Sequence, residues 1–375
     1  MSETFMQRTG GLTVRTAGRA DAERLIGLFN EAFRKAKDAR TAHWKYFDSP
    51  HGVSTTLLAE GPRGEPAGAY SYVYRRFTYR GAPVEIAQAS DAMVSPSFRK
   101  RGIFTGLDDE CAEAAGRRGV PACFATAGRQ SHHGFLKNGW REIGPYRTWI
   151  ALFDTRRSLA RRFGGASALL APFVAVGLAV GGKRPRLELG GHAVRPTPRF
   201  DERFTALFEA TKARLPLVGV RDAAWLNWRY VDTPTRKHRA FAILRGDALV
   251  GYVVTEDGEK NGYVVDLLGQ DEAAEDAALR AGLADLRARG LPLAYVQAPR
   301  CPPLERLFAR NGLFPHPKRQ PFRFVTPFIV RTFPTPPHVR VPGQEVLLDP
   351  ASWYILDGDR DVEHMSQDVP RGETG

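Results

Sequence analysis

The sequence predicts a mixed α/β (α+β) fold made of two tandem domains, each a mostly antiparallel, twisted sheet flanked by helices. Two observations predict it: one motif occurs twice, and a similar series of helix and strand patterns accompanies each occurrence. The 375 residues suffice for two domains of ordinary size, and the 43% apolar content suits a folded core.

The repeated motif has the pattern W-[KR]-Y-x-D-[ST]-P. It occupies residues 44–50 and again residues 228–234. A second pair of similar segments, residues 135–140 and 308–313, follows in the same order. Ordered repeats at this separation are typical of a duplicated fold, so we predict two copies of one domain.

The first copy begins with an amphipathic helix from Asp21, which places Leu25, Phe29 and Phe33 on one face. Gly/Pro-rich turns separate the strands that follow. The remaining predicted elements are strands over 54–59, 68–79 and 84–94, a helix over 105–118, a strand over 121–125, a short helix over 132–137 and strands to residue 153.

The second copy has the same order of elements. They are a helix over 202–213, strands over 239–244, 249–256 and 262–268, a helix over 274–289, a strand over 293–297, a helix over 303–310 and a last strand over 322–328. We therefore predict an N-terminal domain over 1–155, a helical, basic linker over 156–198, a C-terminal domain over 199–332 and an extension with an acidic tail over 333–375.

The formal net charge of +13 favours a polyanionic partner: a nucleotide cofactor, nucleic acid, acidic lipid or an acidic carrier protein. Cys111, Cys123 and Cys301 lie far apart and show no metal-ligand spacing, so neither a metal site nor a disulfide framework is predicted. The N-terminus lacks the apolar core of a signal peptide. These features favour a cytoplasmic protein.

The longest apolar run, residues 166–182, is interrupted by Pro172 and Gly177 and flanked by basic residues within 161–186. It is short for a membrane-spanning helix. Two interpretations remain: a helix packed between the domains, which we favour, or an interfacial segment that contacts a membrane surface.

A basic loop links the strand that ends at Val94 to the next helix. Arg99, Lys100 and Arg101 supply three cations, and Gly102 permits close backbone approach. The helix then begins, with its free N–H groups and the positive end of its dipole toward the loop. This arrangement predicts a pyrophosphate cradle.

The first copy resembles the GNAT (GCN5-related N-acetyltransferase) superfamily in residues 15–22, in this loop and in the F-x-K-x-G-[FW] segment that ends at Trp140. With the second copy, the chain resembles a tandem-GNAT acyltransferase with one working and one degenerate domain. Arg99 and Gly102 match the family's [QR]-x-x-G-x-[GA] loop, whereas Phe104 stands at a Gly/Ala position. Related tandem proteins commonly read R-G-x-G-I-F here.

The resemblance implies acetyl-CoA or another acyl-CoA as co-substrate. The phosphates would lie on the loop, the pantetheine along the preceding strand, and a further contact would come from the helix near residue 131. The implied binding residues are Met93, Val94, Arg99, Lys100, Arg101, Gly102, Ile103, Phe104, Thr105 and Ser131. In the second copy, residues 267–275 carry acids where the first has cations, so we predict no CoA binding there.

Transfer to an amine requires a base, and Asp91 on the strand beside the expected carbonyl is the candidate. An acid within an apolar strand is expected to have a raised pKa. Equally, Asp91 could be structural or could bind the substrate ammonium. The family's acid is a Tyr, but Phe135 stands there. Tyr146, His132 and His133 are replacement candidates, and water is another.

Near the C-terminus, Asp357, Asp359 and Asp361 are closely spaced carboxylates that could attract a cationic amine, with Asp359 and Asp361 as candidate substrate ligands. An acidic tail is the alternative, slightly favoured. The repeated Trp44/Trp228 and Tyr46/Tyr230 are expected to pack the helices of each domain on its own sheet, rather than to stack on a substrate.

The leading hypothesis is an acyl-CoA-dependent N-acyltransferase, most simply an acetyltransferase, that acts on a small-molecule amine such as an amino sugar, an amino acid or a natural product. The alternatives are a Fem-like, aminoacyl-tRNA-dependent transferase and a non-catalytic CoA-binding module. An acyl carrier protein is a further candidate partner, whereas nucleic acid is not expected.

Overall fold

The computed structural model describes residues 12–258, 260–316, 326–334 and 342–361. Within them the chain forms two sheets flanked by helices, and both sheets are mostly antiparallel. The predicted fold class is confirmed. The start of the last predicted strand at residue 322 and residues 362–375 of the predicted acidic tail lie outside the described residues.

The first copy contains seven strands and four helices. Its strands are β1 Thr13–Thr16, β2 Thr55–Glu60, β3 Pro66–Tyr79, β4 Ala82–Val94, β5 Ala122–Thr126, β6 Arg141–Pro145 and β7 Arg147–Leu152. Its helices are α1 Ala22–Phe33, α2 Ala39–Ala42, α3 Ile103–Arg118 and α4 Arg129–Lys137. A π-helical turn, His43–Phe47, follows α2 and carries the first repeat motif.

The linker and the second copy follow. The linker contains α5 Thr155–Phe163, a 3-10 turn Gly165–Leu170 and α6 Ala171–Val180. The strands of the second copy are β8 Ala193–Pro196, β9 Leu217–Gly219, β10 His238–Arg245, β11 Ala248–Asp257, β12 Gly262–Gly269, β13 Leu293–Ala298, β14 Phe314–Pro315, β15 Pro327–Thr332 and β16 Trp353–Tyr354. Its helices are α7 Glu202–Thr211, α8 Ala223–Tyr230, α9 Glu272–Ala288, α10 Pro302–Arg310 and α11 Gln344–Leu347.

The amphipathic pattern of α1 works as predicted. Leu25 and Phe29 are buried against the first sheet, and Phe33 packs on Phe29 with ring centroids 4.9 Å apart. Helix α1 ends at Arg34, which takes a left-handed conformation at φ 53°. The helix thus covers one face of the first sheet, while α3 covers the other.

Each of the two sheets contains strands from both copies. The first has the order β1-β2-β3-β4-β5-β15-β6, with β9 on β3 and β16 on β9. The second has the order β14-β7-β13-β12-β11-β10-β8. Strand β15 of the second copy therefore lies between β5 and β6 of the first, and β7 of the first copy lies between β13 and β14 of the second.

The predicted division at residues 155 and 199–332 stays a prediction, and the strand pairing crosses it. Residues 147–152 pair within the second sheet, whereas residues 327–332 pair within the first. The physical reason is that β15 is covered by β5 on one edge and by β6 on the other. Its residues Phe328, Ile329 and Val330 are fully inaccessible inside the first sheet. Neither sheet is complete without a strand from the other copy.

The repeat motifs meet each other where the two copies join. Trp44 and Trp228 stack with ring centroids 4.8 Å apart. Each indole N–H donates to the main-chain carbonyl of the other tryptophan, at 2.8 and 2.9 Å. Trp228 also packs against the core of its own copy, as expected, and the pair adds a reciprocal contact between the copies that was not expected.

The linker helix α6 is exposed. Phe173 is 76% accessible and Val180 85%. The favoured interpretation of residues 166–182 as a helix packed between the domains is wrong, since the copies contact each other directly. None of the helices in the described ranges is both long and apolar enough to span a membrane.

Candidate functional site

A cleft opens in the first sheet where β4 and β5 separate. These parallel strands pair only at Ala87–Cys123 and Gln88–Phe124. Beyond Gln88, β4 continues to Val94 along β3 alone, while β5 continues along β15. The separated edges leave backbone groups of β4 without a strand partner on that side, which is a surface to which an extended ligand can bind.

A bulge in β4 lies beside this cleft. The pairing with β3 shifts between Ala69–Met93 and Ser71–Ser90, and Asp91 has φ 48°. Bulges of this kind redirect neighbouring side chains. Met93 then points to α1 and is buried there, while Val94 packs on the α3 side. Only the backbone of Met93 is therefore available to line the cleft.

The basic loop lies at the N-terminus of α3, next to the end of β4. The side chains of Arg99, Lys100 and Arg101 are exposed, and none forms an ion pair with any residue that the structure describes. Arg101 lies over the ring of Phe98, 5.0 Å from its centroid. The three charges and the helix dipole therefore reinforce one another without internal compensation.

The backbone of the loop is shaped for this role. Lys100 and Gly102 have φ 65° and 74°, both in the left-handed region. Gly102 is the N-cap of α3 and brings no capping side chain, so the helix's first N–H groups have no side-chain cap. Ile103 is buried and Thr105 half-buried in the first turn. The residues present fit a bound diphosphate.

Phe104 packs on α4. Its ring contacts Phe135 at 5.0 Å between centroids, and a Cβ on Gly134 would lie 3.0 Å from its edge. Gly134 stands where the F-Y-x-K-x-G-F pattern has its first Phe. The absence of a side chain at Gly134 leaves room for the ring of Phe104. The paired departures in sequence are a signal that the sequence prediction missed.

Asp91 is completely buried and lies among polar groups. One carboxylate oxygen accepts from Tyr46 Oη at 2.5 Å and lies 2.6 Å from Lys45 Nζ. The other oxygen has no hydrogen-bond partner among the described residues. Asp91 therefore lies among polar side chains and not in apolar surroundings. Both contacts come from the π-helical repeat motif.

The candidates for the acid lie apart from one another. His132 pairs with Glu142 on β6 at 3.0 Å. Since β6 is three strands from β4, this pair lies about 14 Å across the sheet from the bulge. His133 is exposed on α4. At this position His132 lies beside β6, away from the thioester carbonyl that is expected beside Asp91.

Tyr146 is the candidate that lies inside the protein. Burial raises the pKa of its phenol well above the ordinary value, and Asp357 adds to that effect. Its Oη has no hydrogen-bond partner among the described residues. The guanidinium of Arg360 lies 4.5 Å from the ring centroid and also contacts Thr126 at the end of β5, at 3.3 Å. Tyr146 is therefore neutral and close to the cleft's β5 side.

Ser131 lies in the first turn of α4, as predicted. Its hydroxyl donates to the carbonyl of Gly128, the N-cap of that helix, at 3.3 Å. The side chain is half-buried, and α4 follows directly after β5. Its location is compatible with a ligand contact.

Asp359 is not available to a substrate, which corrects the prediction. Its carboxylate contacts Arg75 at 2.9 Å and Arg221 at 2.5 Å, and all three side chains are buried. Burial alone would raise the pKa of Asp359, but the two guanidinium groups outweigh it and lower the pKa. The interpretation of the whole segment as an acidic tail is also wrong up to Asp361, because residues 353–360 are almost entirely buried.

Asp361 lies at the candidate site. It forms an ion pair with Lys45 at 2.5 Å and accepts from the backbone N–H of Asp91 at 3.2 Å. It also lines a pocket between the two copies. The other residues of this pocket are Trp44, Lys45, Val73, Arg75, Gln88, Ser90, Trp228, Arg229, Gly358 and Arg360. Nothing in the sequence prediction joined these residues, since they come from both copies and the C-terminal segment.

The corresponding cleft of the second copy is filled. Strands β12 and β13 pair only to Val264–Val296 and then separate. The 3-10 turn Asp357–Asp359 contacts both strands. A Cβ on Gly358 would lie 1.8 Å from Tyr230 Oη and 3.1 Å from the carbonyl oxygen of Val265. The turn Asp357–Asp359 of the chain's own C-terminal segment therefore occupies the space that the first copy leaves between its strands.

The loop of the second copy is also neutralised. The carboxylate of Asp271 accepts from the backbone N–H of Ala274 at 2.9 Å and so caps α9. It pairs with Arg245 at 2.9 Å. Glu275 pairs with Arg214 at 2.7 Å. The carboxylate of Asp271 therefore caps the N-terminus of α9, whereas the N-terminus of α3 in the first copy has no such cap.

Comparison with known proteins agrees with this architecture. Residues 13–142 match the family model described as "Acetyltransferase (GNAT) domain". The chain is similar to the crystal structure of a GCN5-related N-acetyltransferase from Anabaena variabilis, at a TM-score of 0.61 and 12% identity, over 85% of this chain and 72% of that one. Residues 13–142 therefore match a GNAT acetyltransferase domain, and the solved structure shows the same fold over most of the chain.

Two further solved structures show the same fold. A probable N-acyltransferase from Enterococcus faecalis matches at a TM-score of 0.61 and 9% identity, over 86% of this chain and 72% of that one. A GCN5-related N-acetyltransferase from Kribbella flavida matches at a TM-score of 0.54 and 17% identity, over 86% and 71%. A comparison with curated protein sequences gave no match.

Proposed function

We propose that this protein is an acyl-CoA-dependent N-acyltransferase, most simply an acetyltransferase, and that it acts on the amine of a small molecule. The observation that carries the proposal is the parting of β4 and β5 directly beside an uncompensated cationic helix N-terminus. GNAT domains generally bind acetyl-CoA or another acyl-CoA, and the match to residues 13–142 covers both features.

Acyl-CoA would supply the activated thioester. The loop from Arg99 to Thr105 would hold the diphosphate through its cations and the free N–H groups of α3. The separated edge of β4, from Asp91 to Val94, would hold the pantetheine through main-chain groups. Ser131 on α4 would contact the same ligand from the β5 side. Only the first copy has these features.

The acceptor would bind in the pocket between the copies. This pocket reaches the β4 bulge through Ser90 and Asp361 and is closed on the far side by Trp228 and Arg229. It is narrow and lined by indole rings and cations, which favours a small molecule over a protein or a nucleic acid. The second copy thus contributes to acceptor binding rather than to a second reaction.

The acceptor amine must lose a proton as its nitrogen takes the acyl group, and the departing thiolate must gain one. We assign the first role to Asp91, whose second carboxylate oxygen is without a partner among the described residues. Tyr146 is the candidate for the second role, because it is neutral and buried near Thr126. His133 would be too exposed to hold a fixed position.

Calorimetric and thermal-shift titration with acetyl-CoA, longer acyl-CoAs and free CoA tests the binding step. A ligand at a hundredfold above its Kd adds about 2.7 kcal/mol of stability. We expect this shift in the native protein and none in Gly102→Glu. Gly102→Ala is the matched control, since it shares the left-handed strain but adds no charge. Absence of a shift with every CoA species would sink the proposal.

Turnover tests the assignment of Asp91. Asp91→Asn should bind acetyl-CoA normally but lose most of kcat. Tyr46→Phe removes a hydrogen bond to the paired oxygen and serves as the control for a structural effect. Equal turnover in Asp91→Asn would remove this residue from proton transfer. Normal CoA binding without turnover on any amine would instead favour a non-catalytic CoA-binding module.

A further inference from the structure

The linker carries an exposed apolar surface. Ten large hydrophobic side chains are exposed in the described residues, and seven of them lie within residues 163–180. They are Phe163 (65% accessible), Leu169 (80%), Leu170 (58%), Phe173 (76%), Val174 (36%), Val176 (63%) and Val180 (85%). A patch this dense on a protein surface marks a binding site.

Helix α6 has no polar face. Its sequence, APFVAVGLAV, contains no charged or hydroxyl side chain. Its main contacts are with α5 and the 3-10 turn Gly165–Leu170, and Ala171 is the residue buried there. A helix that docks in a protein groove has one apolar stripe, whereas a helix apolar all round suits a uniformly apolar medium.

The surroundings of the patch are basic. Between Asp154 and Glu188 the sequence has seven Lys or Arg residues and no Asp or Glu. Arg157 and Arg161 hold α5 to the second copy through the carbonyls of Gly290 and Lys260, at 2.8 and 2.9 Å. The helical hairpin formed by α5 and α6 is thus held to the second copy through α5, and basic residues flank its apolar segment on both sides in the sequence.

We propose that residues 163–180 insert into the surface of a lipid bilayer that carries anionic headgroups. At 1.5 Å per residue, α6 is about 15 Å long. That is roughly half of the hydrocarbon thickness of a bilayer. The helix therefore enters one leaflet, while Lys183, Arg184 and Arg186 lie at the headgroups. This anchoring is independent of the acyl-transfer site.

The charge distribution favours a lipid surface over a second copy of this chain. Two copies that met through this patch would bring fourteen basic residues and no acid together, since each contributes seven. Anionic lipid compensates these charges, and the apolar side chains enter the acyl region. The apolar and cationic parts of the hairpin then serve the same contact.

Co-sedimentation of the full chain with vesicles tests the proposal. We expect binding to vesicles of phosphatidylcholine with about 30% phosphatidylglycerol, weaker binding to phosphatidylcholine alone, and loss of binding with rising salt. Phe173→Ser/Val176→Ser should lower the partition coefficient about tenfold or more. Val53→Ser is the matched control, because Val53 is 61% exposed outside the hairpin.

A charge variant separates the two contributions. Lys183→Glu/Arg184→Glu should abolish the preference for anionic vesicles, whereas Lys35→Glu at an exposed site elsewhere should not. Absence of binding to either vesicle, or equal binding by Phe173→Ser/Val176→Ser, would overturn the proposal. So would light scattering that shows a dimer of the native chain and a monomer of that variant, because a second copy would then cover the patch.

Discussion

The two copies are built alike around their fourth and fifth strands, yet their clefts differ in what occupies them. In the first copy, α3 begins at Gly102 beside three unpaired cations. In the second, α9 begins at Asp271, which caps its own helix, and residues 356–359 fill the gap between β12 and β13. In both places a helix N-terminus attracts an anion. In the second copy that anion is a carboxylate of the chain itself, whereas in the first copy the helix N-terminus is open to a ligand.

The largest effect should come from the segment that fills the second cleft. Asp359→Asn would leave Arg75 and Arg221 buried without their shared carboxylate, which costs about 3–5 kcal/mol of unfolding free energy. Urea denaturation of the variant measures this. Asp247→Asn, at an exposed turn, should leave the midpoint unchanged. A small effect would mean that the segment is not a structural part of the second copy.

The same carboxylate predicts an acid limb of stability. The pKa of Asp359 is held below its ordinary value of 3.8, so its contribution is fully present above that pH and disappears as the pH falls through the lowered value. The native protein should therefore lose stability below about pH 4 more steeply than Asp359→Asn does. Denaturation midpoints of both proteins would be measured at about four pH values between pH 3 and 6. If the prediction is wrong, the midpoints of the native protein and of Asp359→Asn change with pH in parallel.

Exchange of charges between the two loops should have the next largest effect. Lys100→Glu/Arg101→Glu should weaken acetyl-CoA binding about a hundredfold, because two charge-assisted contacts become repulsive. Gln270→Arg/Glu272→Arg places cations in the second loop but should create no second site, since the cleft behind it is filled. Calorimetry with acetyl-CoA gives the number of ligands bound by each of the two variants. Two bound ligands in the second variant would contradict the comparison.

Substitutions in the tryptophan pair test whether Trp44 and Trp228 stabilise the contact between the copies jointly or independently. Trp44→Phe and Trp228→Phe each remove one indole N–H bond and leave one carbonyl without its donor, at about 1–2 kcal/mol. Because the two rings stack, the double variant should cost less than the sum of the two. Strict additivity in chemical denaturation would show that the rings act independently.

The smallest effect concerns Lys100, a non-glycine residue at φ 65°. Lys100→Gly should stabilise the free protein by up to about 1 kcal/mol, because the left-handed backbone is strained for lysine. It should also weaken acetyl-CoA binding by the loss of one cation. Lys100→Ala is the control, since it loses the charge and keeps the strain. A lower melting temperature for Lys100→Gly than for Lys100→Ala would refute the strain argument.

The sequence could predict the local features of both copies. The strands over 68–79 and 84–94 and the helix over 105–118 appear within about two residues of their predicted bounds, because apolar periodicity and turn residues are local signals. The basic loop could be placed for the same reason. The pairing of β15 with β5 could not, since strands of either copy have the same pattern and only the folded chain decides which edge each joins.

The prediction of an acidic tail at the C-terminus was made from the charge of the segment alone. Three aspartates in five residues are typical of an exposed acidic segment, but the partners of Asp359, Arg75 and Arg221, lie far away in sequence. One signal was available: Trp353, Tyr354, Ile355 and Leu356 form an unbroken apolar run just before the acids. Such a run indicates a buried segment, which brings the following carboxylates inside with it.

The exchanged strands have a consequence for how the chain is made. Strand β5 leaves the ribosome roughly 200 residues before β15, so at 5–20 residues per second its second edge waits roughly 10 to 40 s for a partner. During that time the edge is a template for incorrect pairing with another chain. Synthesis of the second copy thus completes the folding of the first, and a chain that ended before β15 would leave the first sheet without that strand.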